Sequence, residues 1–167
     1  AFNNSGLLGD VEPLATQKPE DSSYIVDVNI KGVIYCLHYQ IDAMLKYASA
    51  ENPCSIVNNS SILSHAAYPG LTVYSATKHA VSGLTKGAAL ELAESNIRVN
   101  AVGPGPIRTP MLEVPTDGHP EQFGGMVPMK RIGEPKEISD AVQWLLSTES
   151  SYVTGHTLMI DGGFCSQ

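Results

Sequence analysis

Two apolar, β-branched runs, each following a long stretch of helical periodicity, constrain this chain more than any other feature. The first run is Ser55-Ile56-Val57-Asn58-Asn59-Ser60-Ser61, a strand centred on Ile56 to Asn59, and the second is Ile97-Arg98-Val99-Asn100-Ala101-Val102. Ahead of the first lies Asp21 to Tyr47, where Tyr24, Val28, Ile34, Leu37, Ile41 and Leu45 recur at helical spacings behind the candidate caps Asp21, Ser22 and Ser23. This reads as one long helix. Ahead of the second run lies Val73 to Ser95, a helical stretch rich in alanine and small residues. Arg131-Ile132-Gly133-Glu134-Pro135 then leads into a further helix, and Gly155 to Gly163 forms a last strand. Strands that alternate with helices predict an α/β fold with a parallel sheet covered on both faces, since parallel neighbours need a long crossover connection. With 167 residues the chain suffices for one core and is read as a single domain.

Composition narrows the partners. A net charge of −7 and a pI near 5.1, with no basic cluster, argue against a phosphate-backbone ligand. There is no run of eighteen or more apolar residues and no charged-then-apolar leader, so no membrane span is expected. Cys36, Cys54 and Cys165 are odd in number and lack Cys-x-x-Cys spacing, which fits a reduced cytoplasmic protein with no metal site. Residues 104–130 are dense in proline and glycine and cannot continue a regular element. They read as a lid-like loop with Met111, Leu112, Phe123, Met126 and Met129 as apolar contacts, or alternatively as a solvated connection.

Chemistry concentrates on Tyr74 and Lys78 in Tyr-Ser-Ala-Thr-Lys, with Ser61 thirteen residues upstream. On a helix a spacing of four puts phenol and ammonium on one face, and a fixed cation favours the phenolate, so Lys78 is expected to lower the Tyr74 pKa. An acid–base group of this kind serves proton transfer at a carbonyl or alcohol oxygen. The alternative is a tyrosine that only packs. Ser60 competes with Ser61, but strand alternation sends the two side chains to opposite faces. Cys36, His38 and His65 are assigned structural or surface roles, and the lack of a Gly-x-Ser-x-Gly elbow argues against a serine hydrolase.

Together with Asn3-Asn4-Ser5-Gly6, Pro104-Gly105-Pro106-Ile107-Arg108-Thr109-Pro110 and Gly155-His156-Thr157-Leu158-Met159-Ile160-Asp161-Gly162-Gly163, these ordered blocks resemble the short-chain dehydrogenase/reductase family from about Asn3 to Gly163. The resemblance implies the C-terminal part of a Rossmann-type doubly wound sheet and an NAD(P)-dependent interconversion of a secondary alcohol and a ketone. It casts Tyr74 as general acid/base and Ser61 as donor to the substrate oxygen. Lys78 then tunes Tyr74 and holds the nicotinamide ribose, and Asn29 holds a water in a proton relay. Asn29 could instead satisfy backbone groups within its own helix. Further cofactor contacts fall to Asn4, Ser5, Gly6, Pro104, Gly105, Ile107 and Thr109, with NAD and NADP both open. Where the family commonly has alanine or serine this chain has Gly103, and Ser5 stands for the family's alanine. The family's glycine-rich phosphate turn and its NAD/NADP selector find no match here. Roughly the first third of such a domain is therefore expected to be absent, which would expose an apolar sheet edge.

The resemblance also implies a homodimer or homotetramer, with the two long helices forming one interface and the last strand with its preceding helix forming another. The competing reading is a non-catalytic remnant that serves assembly alone. Steroids, cyclic alcohols, sugars and acyl thioesters all remain open as substrates.

Overall fold

The computed structural model describes every residue except Val114, Pro115 and Asp117. Its first half contains β1 (Phe2–Asn3), α1 (Pro19–Val26), a π-helical turn (Asp27–Lys31), α2 (Gly32–Met44), β2 (Cys54–Asn59) and α3 (Thr72–Leu92). Its second half contains β3 (Ile97–Pro104), α4 (Pro110–Glu113), a 3-10 segment (Pro120–Met126), α5 (Pro135–Leu146) and β4 (Thr157–Ile160). The four strands pair in parallel in the order β1-β2-β3-β4, with Phe2 opposite Val57, Ile56 opposite Val99 and Ala101 opposite Thr157.

Adjacent strand residues explain why the sheet is covered twice. Ile56 and Val57 are both fully buried, yet they join different cores. Ile56 and Val99 pack with Val33, Leu37, Val81 and Leu92 of α2 and α3. Val57 and Val102 pack with Val142 and Leu145 of α5. Each such side chain contributes about 1.5–3 kcal/mol by leaving water. Buried amides are satisfied within the same layers: Asn58 donates to Thr85 Oγ1 at 3.0 Å, and Asn100 donates to the Val153 carbonyl at 2.8 Å. The start of α5 is fixed by its own sequence. Pro135 occupies the first turn, and the Glu134 N–H donates to the Glu137 carboxylate at 2.8 Å. Arg131 pairs with that carboxylate at 2.6 Å and pulls its pKa down to about 2.

Three expectations need correction. The first long helix is not regular: it begins at Pro19 rather than Asp21, is interrupted by the π turn and ends at Met44. Its buried line is Ile25, Asn29, Val33 and Leu37, whereas Tyr24, Ile34 and Leu45 of the proposed stripe are 62%, 41% and 52% exposed. The wider turn at Asp27–Lys31 holds Asn29 on the buried side, where its amide finds fixed partners. Second, β3 continues through Gly103 to Pro104, because its end pairs with β4 from Ala101 to Pro104. Third, the described part of 104–130 contains α4 and the 3-10 segment, both of which open on a proline that suits a first turn. Val114, Pro115 and Asp117 of that loop lie outside the described residues. No helix among the described residues is long and apolar enough to cross a membrane.

Candidate active site

The site is built where β2 ends. Past Asn59 the strand delivers Ser60 and Ser61 to opposite sides, as alternation requires. Ser60 Oγ donates to the Lys78 carbonyl at 3.2 Å, so its hydroxyl is spent inside α3. Ser61 Oγ accepts the Leu63 N–H at 3.1 Å and borders the cavity. The chain then turns at Gly70, where φ is +84° and an added Cβ would stand 3.0 Å from Val11 Cγ1. This turn opens α3 and folds the Leu8–Val11 segment over the site, with Glu12 N–H donating to the Gly70 carbonyl at 3.1 Å.

On α3 the predicted pair shares one buried face. Tyr74 is 8% exposed and Lys78 5%, with Lys78 Nζ lying 5.4 Å from the Tyr74 ring centroid. Lys78 Nζ donates to the Asn59 carbonyl at 2.9 Å, its one hydrogen bond among the described residues. Burial lowers the Lys78 pKa to about 8 and pushes that of Tyr74 up to about 12. The expected effect of Lys78 on Tyr74 is therefore corrected. Desolvation of the phenol dominates, and the Ser61 hydroxyl is what acts against it. A cation 5.4 Å from the ring centre does not outweigh the loss of water around the oxygen.

Asn29 braces this arrangement from behind. Its Oδ1 accepts the Leu7 N–H at 2.8 Å, while Nδ2 donates to the Leu7 carbonyl at 2.8 Å and to Thr77 Oγ1 at 3.1 Å. The alternative of bonding within its own helix is thus also corrected. Its amide joins two other segments, one of them the turn of α3 that carries Lys78. Thr77, fully buried, donates to the Tyr74 carbonyl at 2.7 Å and was not among the sequence candidates, although it sits inside the Tyr-Ser-Ala-Thr-Lys motif.

A cavity of about 610 Å³ opens in front of Tyr74 and Ser61. Asn4, Pro104, Gly105, Ile107 and Thr109 line it together with those two residues. Ser5 and Gly6 do not. Gly6 instead sits against the Lys78 ammonium, where an added Cβ would lie 3.5 Å from Nζ. Thr109 Oγ1 leans back to the Ile107 carbonyl at 3.3 Å. Of the apolar loop residues Met111, Leu112, Phe123 and Met126 reach the cavity, whereas Met129 is 62% exposed and does not. Asn59, absent from the sequence candidates, lines the cavity, donates to Asn4 Oδ1 at 2.8 Å and has a buried Oδ1 without a partner among the described residues. No motif marked it. At Gly103 a Cβ would meet Met159 Sδ at 2.4 Å, so the large Met159 fills the room that a side chain at 103 would take.

These residues fit a nicotinamide cofactor. Lys78 has two of its three N–H donors unspent beside Gly6, and the backbone from Pro104 to Ile107 borders the same space.

Comparisons with known proteins bear on the family and the fold. The family model described as enoyl-(acyl carrier protein) reductase matches residues 1–165. The chain is 38% identical to cyclohexanol dehydrogenase of Acinetobacter sp. (strain SE19), over 100% of its own length and 64% of that protein. It is 42% identical to a 3-oxoacyl-[acyl-carrier-protein] reductase of Thermotoga maritima, over 96% of the chain and 63% of the relative. A 3-ketoacyl-(acyl-carrier-protein) reductase from Brucella melitensis, solved with NADH, superposes with a TM-score of 0.91 at 32% identity, covering 98% of this chain and 66% of that one. The chain thus spans about two-thirds of the length of these relatives and corresponds to the C-terminal part of their fold. With the family match, the sheet and the ordered motifs in agreement, the chain belongs to the short-chain dehydrogenase/reductase family.

Proposed function

We propose that this protein is an NAD(P)-dependent oxidoreductase that interconverts a secondary alcohol and a ketone, with Tyr74 as its general acid and base. One observation carries the reading: the Tyr74 phenol stands beside the Ser61 hydroxyl at a largely apolar cavity, with the Lys78 ammonium buried one turn behind it. A nicotinamide cofactor bound along Asn4, Lys78, Pro104, Gly105, Ile107 and Thr109 supplies the redox chemistry. The chain's own residues manage the proton and the oxygen.

Ser61 donates to the substrate oxygen as negative charge develops, a contribution worth about 10²–10³-fold in comparable donor deletions. Tyr74 delivers its proton to that oxygen in reduction, and in oxidation its phenolate form withdraws the proton from the alcohol. Its raised pKa keeps the phenol protonated at neutral pH, ready to act as the acid. Lys78 adds positive charge beside the phenolate that forms and offers its spare N–H groups to hydroxyls of the bound cofactor. Asn29 positions Lys78 through Thr77 and the Leu7 backbone, and we assign it the further role of holding a water that links Lys78 to solvent in a proton relay.

Exposed Tyr35, Tyr39 and Leu90 on α2 and α3 support assembly of this chain into a homodimer or homotetramer. Three unpaired cysteines suit a reducing, cytoplasmic setting. The decisive experiment is Tyr74→Phe, which removes only the phenol oxygen. Turnover of secondary alcohols with NAD or NADP is expected to fall at least about 10²-fold with the fold intact by circular dichroism. A variant that turns over at the original rate refutes the role.

A further inference from the structure

We propose that the substrate is neutral and largely hydrocarbon apart from its reacting oxygen, and that the site rejects carboxylated, phosphorylated and polyhydroxylated compounds of similar size. This rests on the oxidoreductase reading above.

The make-up of the cavity lining carries the inference. Its polar side chains include Asn4, Asn59, Ser61, Tyr74 and Thr109, and the backbone from Pro104 to Ile107 borders the same space. Most of the remaining lining is apolar: Leu8, Leu63, Leu71 and Phe164 pack around Tyr74, and the loop adds Met111 and Phe123. Among the described lining residues there is no aspartate, glutamate, lysine, arginine or histidine.

Neighbouring guanidinium groups are already paired, and Lys78 does not line the cavity. Arg108 pairs with Glu121 and, at 2.9 Å, with Glu134, while Arg131 pairs with Glu137 at 2.6 Å. Lys78 faces the Asn59 carbonyl behind the tyrosine. An anionic group carried in among these apolar side chains would lose its hydration and meet no countercharge from the lining. Added hydroxyls fare better, because an apolar pocket discriminates against one extra hydroxyl by only about 10²-fold. Several hydroxyls on one ring nevertheless exceed what Tyr68 and Ser139, the remaining side-chain partners along the lining, can satisfy.

The test compares two ketones of the same skeleton, 4-methylcyclohexanone and 4-oxocyclohexanecarboxylate, by turnover with NADH and NADPH and separately by calorimetric binding. The neutral ketone is expected to exceed the carboxylate by at least about 100-fold in kcat/KM, or about 2.7 kcal/mol. If both are reduced equally well, the substrate class is overturned and the oxidoreductase reading survives. If neither is reduced but the neutral ketone binds at least about 100-fold tighter, the class stands and the oxidoreductase reading falls. Failure of both to bind overturns the class. Met111→Lys supplies the missing cation at a partly exposed position that tolerates it. This variant is expected to improve the carboxylate relative to the neutral ketone at least about 10-fold, and an unchanged ratio refutes the role of the apolar wall.

Discussion

Replacing Lys78 by methionine tests the electrostatics of the site without requiring turnover. Burial drops the Lys78 pKa from the ordinary 10.5 to about 8, so the folded chain holds this proton less tightly than the unfolded chain. Below pH about 8 both states are protonated and the folded state bears the full cost of a buried ammonium. Between about 8 and 10.5 the folded state releases its proton first, and the cost is relieved. The stability attributable to this group therefore rises with pH across that window. At 1.36 kcal/mol per pKa unit the displacement is worth about 3 kcal/mol, most of which returns between pH 7 and pH 10.

The variant also loses the 2.9 Å bond to the Asn59 carbonyl at every pH, so the absolute stabilities do not discriminate. The pH dependence of their difference does. Tyr74, pushed up to about 12, opposes the trend above pH 10, but Lys78 is not among the causes of that shift and the effect is common to both proteins. Urea unfolding followed by far-UV circular dichroism is expected to show the parent gaining about 2–3 kcal/mol on Lys78→Met between pH 7 and 10. A difference that stays flat or falls over this range would mean that the ammonium is hydrated in solution, and the account of the buried site would be wrong.

Asn29→Leu keeps the branched shape but strands the Leu7 N–H and carbonyl and the Thr77 hydroxyl; a loss of about 2–4 kcal/mol in urea unfolding is expected, and a loss below about 1 kcal/mol would show that water replaces the amide. Ser61→Ala separates two roles of one hydroxyl. If Ser61 acts on the substrate, kcat falls about 10²–10³-fold, whereas a group that only caps the Ile62–Ser64 turn through the Leu63 N–H would lower Tm with kcat unchanged. Gly105→Val tests the close approach of β3 to the segment after β4, since a Cβ there would lie 2.8 Å from Asp161 Cα. Backbone must shift, so scanning calorimetry should find Tm lowered by at least about 3 °C, and an unchanged Tm would refute the contact.

Much of this protein follows from local sequence. β-Branched runs such as Ile56-Val57 can bury both faces only as inner strands, and the helical stretches between them leave a parallel sheet as the consistent arrangement. Tyr74, Lys78 and Ser61 are legible because helix spacing and strand alternation are geometric rules that need no tertiary information. Other features arise only when distant segments meet. The π turn at Asp27–Lys31 has no local signature, since it is held by Asn29 binding Leu7 and Thr77, 22 and 48 residues away. The Tyr74 pKa likewise depends on how much water the surrounding segments exclude, and burial there reverses the direction that a neighbouring lysine alone suggests. Asn59 becomes part of the cavity only because β1 brings Asn4 beside the end of β2. Spacing along a chain determines which side chains share a face, but desolvation and pairing depend on everything packed around that face, and the tertiary structure alone decides them.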